Sequence, residues 1–220
     1  APKFVEAGAV VVDNTSFWRM HEDVPLVVAG VNSEAAQHHK GIVANPNCTT
    51  MVMMMALAPL HHAAGLERLV VSTYQAVSGT GNKAIAELED QSSQVLAGEP
   101  IDDPKVYPHR IAFNVIPQVE TFKDGDDYTT EERKVMAETR KILGFGDEVG
   151  ISATCARVPV VSGHSESINI QTREDLSPDR AREILGQVSG VIVVDDPSNG
   201  EYPMAIDGAG RDEVLVGRIR

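Results

Sequence analysis

The stretch Asn45-Pro46-Asn47-Cys48-Thr49-Thr50 joins a short apolar run to a longer apolar segment. Residues 41–44 predict a buried strand, Pro46 predicts a turn, and residues 48–64 predict a helix. Asn47 is a suitable N-cap because its side-chain oxygen can accept hydrogen bonds from the first helical N–H groups. A strand, a turn and a helix in this order are typical of an α/β fold, and they place the cysteine in the first helical turn.

Apolar runs on both sides of this junction indicate further strands and helices. Two runs before it, residues 9–12 and 25–31, are rich in Val and suit parallel strands that are covered on both faces. After it the pattern changes to strands and helices in mixed order, with no repeat. The predicted strands there are residues 68–74, 111–116, 151–161, 167–172 and 191–194, and the predicted helices are residues 82–96, 129–143 and 177–185.

The composition argues against several classes of protein. The 220 residues include 19 Lys and Arg against 32 Asp and Glu, a net charge of −13. A chain this acidic repels nucleic-acid phosphates and anionic membrane surfaces. Two cysteines cannot build a disulfide framework, which favours reduced thiols in the cytoplasm. The sequence has no apolar run long enough to span a bilayer and no His or Cys spacing typical of a metal site.

Both ends of the sequence resemble the interior of a longer chain. Residues 1–8 predict the last turn of a helix that glycine closes, and residues 214–220 form a strand-like run with no cap after it. We therefore expect the native polypeptide to extend in both directions. The alternative is a short natural protein with frayed ends.

Cys48 is the first candidate for chemistry. Unpaired N–H groups and the dipole at a helix start favour a thiolate and lower the pKa of a thiol. The same N–H groups can hold an oxyanion that forms on a carbonyl attacked by the sulfur. This position predicts a nucleophile that forms a thioester. The alternative is a small buried cysteine that only packs at the helix start.

His164 is the most suitable partner for the sulfur among the seven histidines. It follows a β run that Gly163 interrupts, and an imidazole there can take a thiol proton and return it near neutral pH. Arg157 lies seven residues earlier, so a straight strand would put it on the opposite face. The two side chains can share a pocket only if the chain bends, as Pro159 or Gly163 allows. The alternative for His164 is a polar residue in a turn.

A glycine loop at residues 79–84 partly matches the dinucleotide fingerprint G-x-G-x-x-A. Four residues separate it from the preceding strand, and the helix after it leads into a loop instead of a strand with an acidic end. We therefore interpret this loop as a glycine-rich backbone surface that faces a ligand, and not as a pyrophosphate site. The alternative is a plain junction between a loop and a helix.

Four motifs resemble, in this order, those of the aspartate-semialdehyde dehydrogenases: Asn45-Pro-Asn-Cys-Thr-Thr50, Ser72-Thr-Tyr-Gln-Ala-Val-Ser-Gly79, Glu131-Glu-Arg-Lys134, and Arg157 followed by His164-Ser165. The resemblance covers nearly the whole chain. It implies that residues 1–46 are the end of a Rossmann-type parallel sheet, a remnant of an NADP-binding domain. Residues 47–220 would then be a mixed-sheet α+β domain for catalysis and dimerisation, incomplete at its C-terminus. The family's glycine-rich pyrophosphate segment and its C-terminal helix are not among these residues.

The resemblance also implies a reaction, the reductive dephosphorylation of L-aspartyl 4-phosphate by NADPH to aspartate semialdehyde. This reaction serves the biosynthesis of lysine through diaminopimelate, and of threonine, methionine and isoleucine. The implied partners are the substrate, phosphate and a second copy of the chain, in a cytoplasmic homodimer or homotetramer, with no metal, nucleic acid or membrane. The implied roles are Cys48 as nucleophile, His164 as acid/base partner, Gln75 for orienting the substrate, Arg157 for its carboxylate, Glu131 for its ammonium group, Arg19, Asn47 and Lys134 for phosphate, and Ser78 with Gly79 for NADP.

Other interpretations stay open from the sequence. N-acetyl-glutamyl-phosphate reductases are related enzymes, although their cysteine segment usually differs from residues 45–50. The chain could also be a non-catalytic fragment that dimerises without a cofactor site. Glu131 and Lys134 lie three residues apart and share one helix face, where they could meet an amino acid phosphate or form a solvated charge pair.

Overall fold

The N-terminal segment forms two short parallel strands with a long connection. A computed structural model describes all 220 residues. Helix α1 (Pro2–Glu6) precedes strand β1 (Val11–Asp13), which pairs in parallel with strand β2 (Ile42–Ala44). A single 3₁₀ turn (Ser33–His38) interrupts the connection between them. The predicted parallel pairing of this segment is therefore confirmed for residues 11–13 and 42–44.

Residues 25–31, predicted as a further strand, pair with the sheet only near Leu26. Leu26 forms one parallel bridge to the end of β2. Beyond it, the Asn32 side chain accepts the N–H of Val28 at 2.8 Å, and Gly30 adopts a φ of 84°. The prediction of a full strand was wrong because a side-chain hydrogen bond and a left-handed glycine turn the chain there.

Helix α2 (Cys48–Ala64) follows the turn and supplies much of the core, as predicted. Asn47 caps it, since its side-chain oxygen accepts the N–H of Thr49 at 2.9 Å and the N–H of Thr50 at 3.4 Å. Gly65 ends it at a φ of 65°. Its buried face contributes three side chains that are at most 1% exposed, Met53, Met54 and Leu57.

The main sheet has three strands and lies against two helices. After α2 the chain forms strand β3 (Leu66–Gln75), helix α3 (Asn82–Ala97) and helix α4 (Thr130–Leu143), which begins with a capping box at Thr129. Strand β4 (Gly150–Arg157) pairs in parallel with β3, and strand β5 (Ser165–Thr172) pairs with β3 in antiparallel fashion. Helices α2 and α4 cover one face of this sheet. The parallel and mixed pairings confirm the predicted α/β class.

Residues 111–116, predicted as a strand, form a loop instead. The amide oxygen of Gln91 in α3 accepts the N–H groups of the first two of these residues, at 3.0 and 3.3 Å. Phe113 adopts a φ of 55°, which a strand does not allow. Only Ile116 pairs with the sheet, through a bridge to Arg157.

The predicted strand 151–161 ends at Arg157, because Pro159 has no N–H and the chain bends. The N–H of Val158 donates to the carbonyl of Gln75 at 3.1 Å, and the carbonyl of Val160 accepts the N–H of Val77 at 2.9 Å. These bonds fold the chain over the end of β3. This is the bend that a shared pocket for Arg157 and His164 requires.

A second, smaller unit of structure packs at the far end of α2. Helix α5 (Pro178–Leu185), strand β6 (Val191–Val193), helix α6 (Ala205–Gly208) and strand β7 (Val214–Val216) follow in order, and β6 pairs in parallel with β7. Their small core consists of Leu60, Ala181, Leu185 and Val191. None of the helices has the length and apolar character needed to cross a bilayer.

Candidate active site

Four chain segments meet at one edge of the main sheet. Because β3 and β4 are parallel and β5 is antiparallel, the ends of β3 and β4 lie beside the start of β5. Gln75 and Arg157 are register partners at these ends, and His164 directly precedes β5. Cys48 starts α2 above them. The structure therefore brings together four side chains that the sequence places in three separate motifs.

The sulfur of Cys48 lies 3.4 Å from Nε2 of His164. The other ring nitrogen, Nδ1, accepts the backbone N–H of Ala76 at 3.0 Å. Burial lowers the pKa of His164, with a smaller effect from the Arg157 guanidinium, so the neutral ring is favoured. A neutral ring whose Nδ1 is an acceptor carries its proton on Nε2, and it therefore points an N–H at the sulfur.

The predicted lowering of the Cys48 pKa is not found. Burial raises the pKa of this thiol, and the nearby Glu131 carboxylate adds to the effect. Hydrogen bonds from Thr49 and the charge of Arg157 oppose the rise. The prediction considered only the helix start, and it could not foresee that a buried carboxylate lies beside the sulfur.

The N-cap also changes which helical N–H groups are free for an oxyanion. The Asn47 side chain already accepts the N–H groups of Thr49 and Thr50. The first helical N–H, that of Cys48 itself, has no hydrogen-bond partner within the chain. It is therefore the group of the first turn that can bind an oxygen atom beside the sulfur.

Glu131 is the centre of a buried polar cluster. It is 3% exposed, and its oxygens accept the Asn47 side-chain amide at 3.0 and 3.1 Å and the Gln75 amide at 3.1 Å. The Gln75 amide also donates to Thr49 Oγ1 at 2.6 Å. Lys134 Nζ lies 2.9 Å from Glu131. This network fixes the direction of both amides, and it links α4 to the start of α2.

The backbone of Gly79 lies close to both Arg157 and His164. Arg157 is 6% exposed, donates to the carbonyl of Ala76 at 2.7 Å, and has no partner for its buried Nε. A Cβ on Gly79 would lie 3.1 Å from His164 Cε1 and 3.3 Å from an Arg157 nitrogen. Glycine is therefore needed at this position so that the backbone can approach both side chains closely.

The phosphate set expected from the resemblance is divided between two neighbouring cavities. Arg19 and Asn47 line an open cavity of about 460 Å³ together with Cys48, Ser78, Gly79 and His164. Lys134 lines a second cavity of about 490 Å³, and its Nζ is held by Glu120 at 2.5 Å as well as by Glu131. The two carboxylates account for its position outside the first cavity.

Sequence reasoning missed two side chains of α4 that support the site. Glu138 is 1% exposed and contacts both Arg19 and the backbone N–H of Asn47. Lys141 donates to the carbonyls of Arg19, His21 and Val24, each at 2.8 Å. The signal was present in the sequence, because Glu131, Lys134, Glu138 and Lys141 repeat at the spacing of a single helix face.

The fold places a cysteine at the start of a helix, where it faces a histidine. Comparison with known sequences identifies the class of protein that has this fold and site. The family described as "Semialdehyde dehydrogenase, dimerisation domain" matches residues 57–220, and "Semialdehyde dehydrogenase, NAD binding domain" matches residues 1–39. The chain belongs to the semialdehyde dehydrogenase family.

Within this family the chain is homologous over its whole length to aspartate-semialdehyde dehydrogenases. It is 52% identical to that of Aquifex aeolicus over 222 residues, which cover 100% of this chain and 65% of the relative. The crystal structure of aspartate semialdehyde dehydrogenase II from Vibrio cholerae superposes with a TM-score of 0.94 at 41% identity, and 64% of it is covered. The same enzyme is known in complex with ASA, and the more distant Candida albicans enzyme with NADP, at 27% identity and a TM-score of 0.71.

Proposed function

We propose that this chain carries the acyl-transfer site of an NADP-dependent aspartate-semialdehyde dehydrogenase that reduces L-aspartyl 4-phosphate to aspartate semialdehyde. The observation that carries the proposal is the sulfur of Cys48 at 3.4 Å from His164 Nε2, beside Gln75 and Arg157 at one sheet edge. We place residues 1–46 at the end of the dinucleotide-binding domain and residues 47–220 in the catalytic and dimerisation domain. The chain spans 65% of the Aquifex aeolicus relative's length, so the activity belongs to the whole protein.

In the proposed mechanism, Cys48 first gives up its thiol proton to water in the open cavity, and the resulting thiolate attacks the acyl carbon of the substrate. A carbon–sulfur bond forms, the bond from carbon to the phosphate oxygen breaks, and phosphate leaves with its electron pair, so a thioester results. The N–H of Cys48 binds the oxygen that becomes negative during the attack. The Nε2–H of His164 donates a hydrogen bond to the sulfur, which stabilises the thiolate before attack and again as a leaving group. For His164 to accept a proton, as an acid/base partner does, the Ala76 contact must first be released.

The polar side chains in and around the candidate site supply the groups that such a substrate requires. Arg157 has a buried, unpartnered Nε, and a guanidinium can hold the α-carboxylate through two parallel hydrogen bonds. The Glu131 carboxylate suits the substrate ammonium group, and the Gln75 amide beside it can orient the reacting end. Arg19 and Asn47 line the cavity that contains the sulfur, and they suit the phosphate end. Lys134 serves that end only when its Nζ is released from Glu120.

A nicotinamide coenzyme fits the wall formed by Ser78 and Gly79. Both residues line the cavity of Cys48, and Gly79 lets this backbone lie close to His164 and Arg157. When bound there, the coenzyme supplies the hydride that reduces the thioester carbon. The NAD-binding family match and the NADP complex of the Candida albicans enzyme support a pyridine nucleotide.

We also propose that two copies of the chain assemble through the open face of the main sheet. Helices cover only one face, and on the other Tyr74 is 44% exposed. The dimerisation-domain match covers these strands. We expect the assembly to work in the cytoplasm, in the biosynthesis of the amino acids that derive from aspartate semialdehyde.

The proposal is tested with the complete protein, NADP⁺, inorganic phosphate and aspartate semialdehyde. We expect NADPH absorbance to rise, and the rise to disappear in Cys48→Ala, which removes the nucleophile. Cys155→Ala is the matched control, because Cys155 is buried in β4 and should leave turnover within about twofold. Turnover by Cys48→Ala at the rate of the parent protein would refute the mechanism, and no turnover by the parent would refute the function.

A further inference from the structure

Glu138 is a fully buried carboxylate behind the candidate active site, and the proposed mechanism does not use it. It is 1% exposed and lies one helical turn beyond Lys134 on the same face of α4. A buried charge is costly unless hydrogen-bonded partners compensate it. The hydrogen-bond partners of the Glu138 carboxylate therefore indicate the role of its charge.

Each carboxylate oxygen of Glu138 has one partner, and both partners line the cavity of Cys48. Oε1 accepts from the Arg19 guanidinium at 3.0 Å, and Oε2 accepts the backbone N–H of Asn47 at 2.7 Å. Glu138 itself does not line the cavity. One carboxylate thus joins the guanidinium to the N-cap of the helix that carries the sulfur.

The Arg19 guanidinium is held at both of its terminal nitrogens. Its side chain donates through one terminal nitrogen to Glu138 and through the other to the carbonyl of Asn14 at 3.0 Å. Because the guanidinium is planar, fixing both ends fixes the direction of every remaining N–H. Its Nε is buried with no partner, so part of its donor capacity is unused.

The backbone that carries Arg19 is held by the same helix. Lys141 Nζ donates to the carbonyls of Arg19, His21 and Val24, each at 2.8 Å. Helix α4 therefore fixes the loop through Lys141, the guanidinium through Glu138, and the start of α2 through Glu138 and Glu131. The loop around Arg19 comes from the N-terminal segment, so these contacts join two distant parts of the chain.

We propose that Glu138 is a positioning residue that holds the Arg19 guanidinium in place against the N-cap of the Cys48 helix, and so determines how tightly the site binds a phosphate group through Arg19. This inference rests on the proposed function, because it takes the phosphate end of an acyl phosphate as the ligand of Arg19. The ligand class is a phosphate dianion, either free or as the leaving group of the substrate. The carboxylate does not contact the phosphate; it acts through Arg19.

The test uses Glu138→Gln and measures both kinetics and protection. Gln offers one acceptor oxygen for two donors, so either Arg19 or the Asn47 N–H loses its partner. We expect the KM for phosphate to rise about tenfold or more, while the KM for aspartate semialdehyde changes less than about twofold. Inorganic phosphate should also protect Cys48 of the parent from iodoacetamide, beyond sodium chloride of equal ionic strength, and should fail to protect Glu138→Gln at the same concentration.

The matched control is Glu132→Gln in the same helix. Glu132 is also buried, and its oxygens accept the backbone N–H groups of Thr129 and Cys155, away from the cavity. This variant should lose stability and keep the phosphate KM and the protection. Equal loss of phosphate affinity in both variants would overturn the proposal, since it would show general loosening of α4.

A double variant keeps the proposal testable if Glu138→Gln alone fails to fold. Arg19→Gln with Glu138→Gln removes both charges of the pair, so neither is left buried without its partner. If Glu138 acts through Arg19, the double variant should bind phosphate as Arg19→Gln alone does, within about twofold. A further loss in the double variant would overturn the proposal, as would a parent in which phosphate gives no protection. The protection assay needs no turnover, so it separates this proposal from the proposed enzyme activity.

Discussion

Two neighbouring rows of side chains cross the same face of the main sheet, and their polar groups differ in their partners. The row at the strand ends contains Arg157, Gln75 and His164, and the next row contains Cys155, Thr73 and Glu166. In the first row the Gln75 amide donates to Thr49 and Glu131, and both ring nitrogens of His164 have partners, so that only Arg157 Nε lacks one. Thr73 Oγ1 and both oxygens of Glu166, by contrast, are buried with no partner.

The two rows differ because different segments of the chain contact them. Helix α4, the start of α2 and the turn at Ala76 all contact the first row, and they supply carboxylate, amide and backbone groups. The second row lies further from the strand ends, where burial in the protein is the main influence on its side chains. The two cysteines show the contrast well: part of Cys48 is exposed at the cavity, although the surrounding protein raises the pKa of its thiol, while Cys155 is buried with its pKa raised to about 12.

The largest expected effect is the difference between the alkylation rates of the two thiols. In the native protein we expect iodoacetamide to modify Cys48 at least about 100-fold faster than Cys155, because a buried thiol reacts only after the structure opens. The Cys48 rate should rise with pH to a midpoint above that of an ordinary thiol, because burial raises its pKa. Mass spectrometry of the two peptides measures both rates.

Urea provides the control for this experiment. In the unfolded chain the two cysteines should react at similar rates, since their environments no longer differ. Similar rates in the native protein would contradict the comparison, because they would mean that both sulfur atoms are equally accessible.

A smaller effect is expected from Gly79→Ala, which disturbs only the first row. The new Cβ would lie 3.1 Å from His164 Cε1, so the ring must shift from its position beside the sulfur by a few tenths of an ångström. We expect turnover to fall about 10- to 100-fold, because small displacements of reacting groups have large effects. The thermal midpoint should change little, because the φ of Gly79 is not in the left-handed region.

Gly81→Ala is the matched control for Gly79→Ala. Gly81 has a φ of 98°, and a Cβ added there would meet no atom within 4 Å, so the change strains the backbone without touching His164. It should cost about 1 kcal/mol of stability or more and leave turnover nearly unchanged. The reverse pattern between the two variants would contradict the role given to the close approach.

The sequence predicts the start of α2 better than the contacts around it, for a physical reason. The segment around Cys48 contains its own turn, cap and helix signals, so α2 and its cap are found where predicted. Burial and hydrogen bonds from distant residues determine the rest. Residues 111–116 become a loop because Gln91 accepts two of their N–H groups, and the pKa of Cys48 rises because α4 brings Glu131 beside it. No local pattern contains these contacts.

A different kind of effect, on stability, concerns the unpartnered carboxyl group of the second row. Burial raises the pKa of Glu166 from its usual 4.5 to about 8. Between these values the folded protein retains a proton that the unfolded chain has lost, so stability falls as pH rises, by on the order of 1 kcal/mol per pH unit. Glu166→Gln should remove this slope, and it should exceed the parent in stability at pH near 8 while matching it near pH 5. Urea unfolding midpoints at the two pH values measure the difference, and Glu132→Gln, which loses hydrogen bonds, should be less stable than the parent at both. An equal difference between Glu166→Gln and the parent at both pH values would show that the Glu166 carboxyl group does not change its proton occupancy on unfolding.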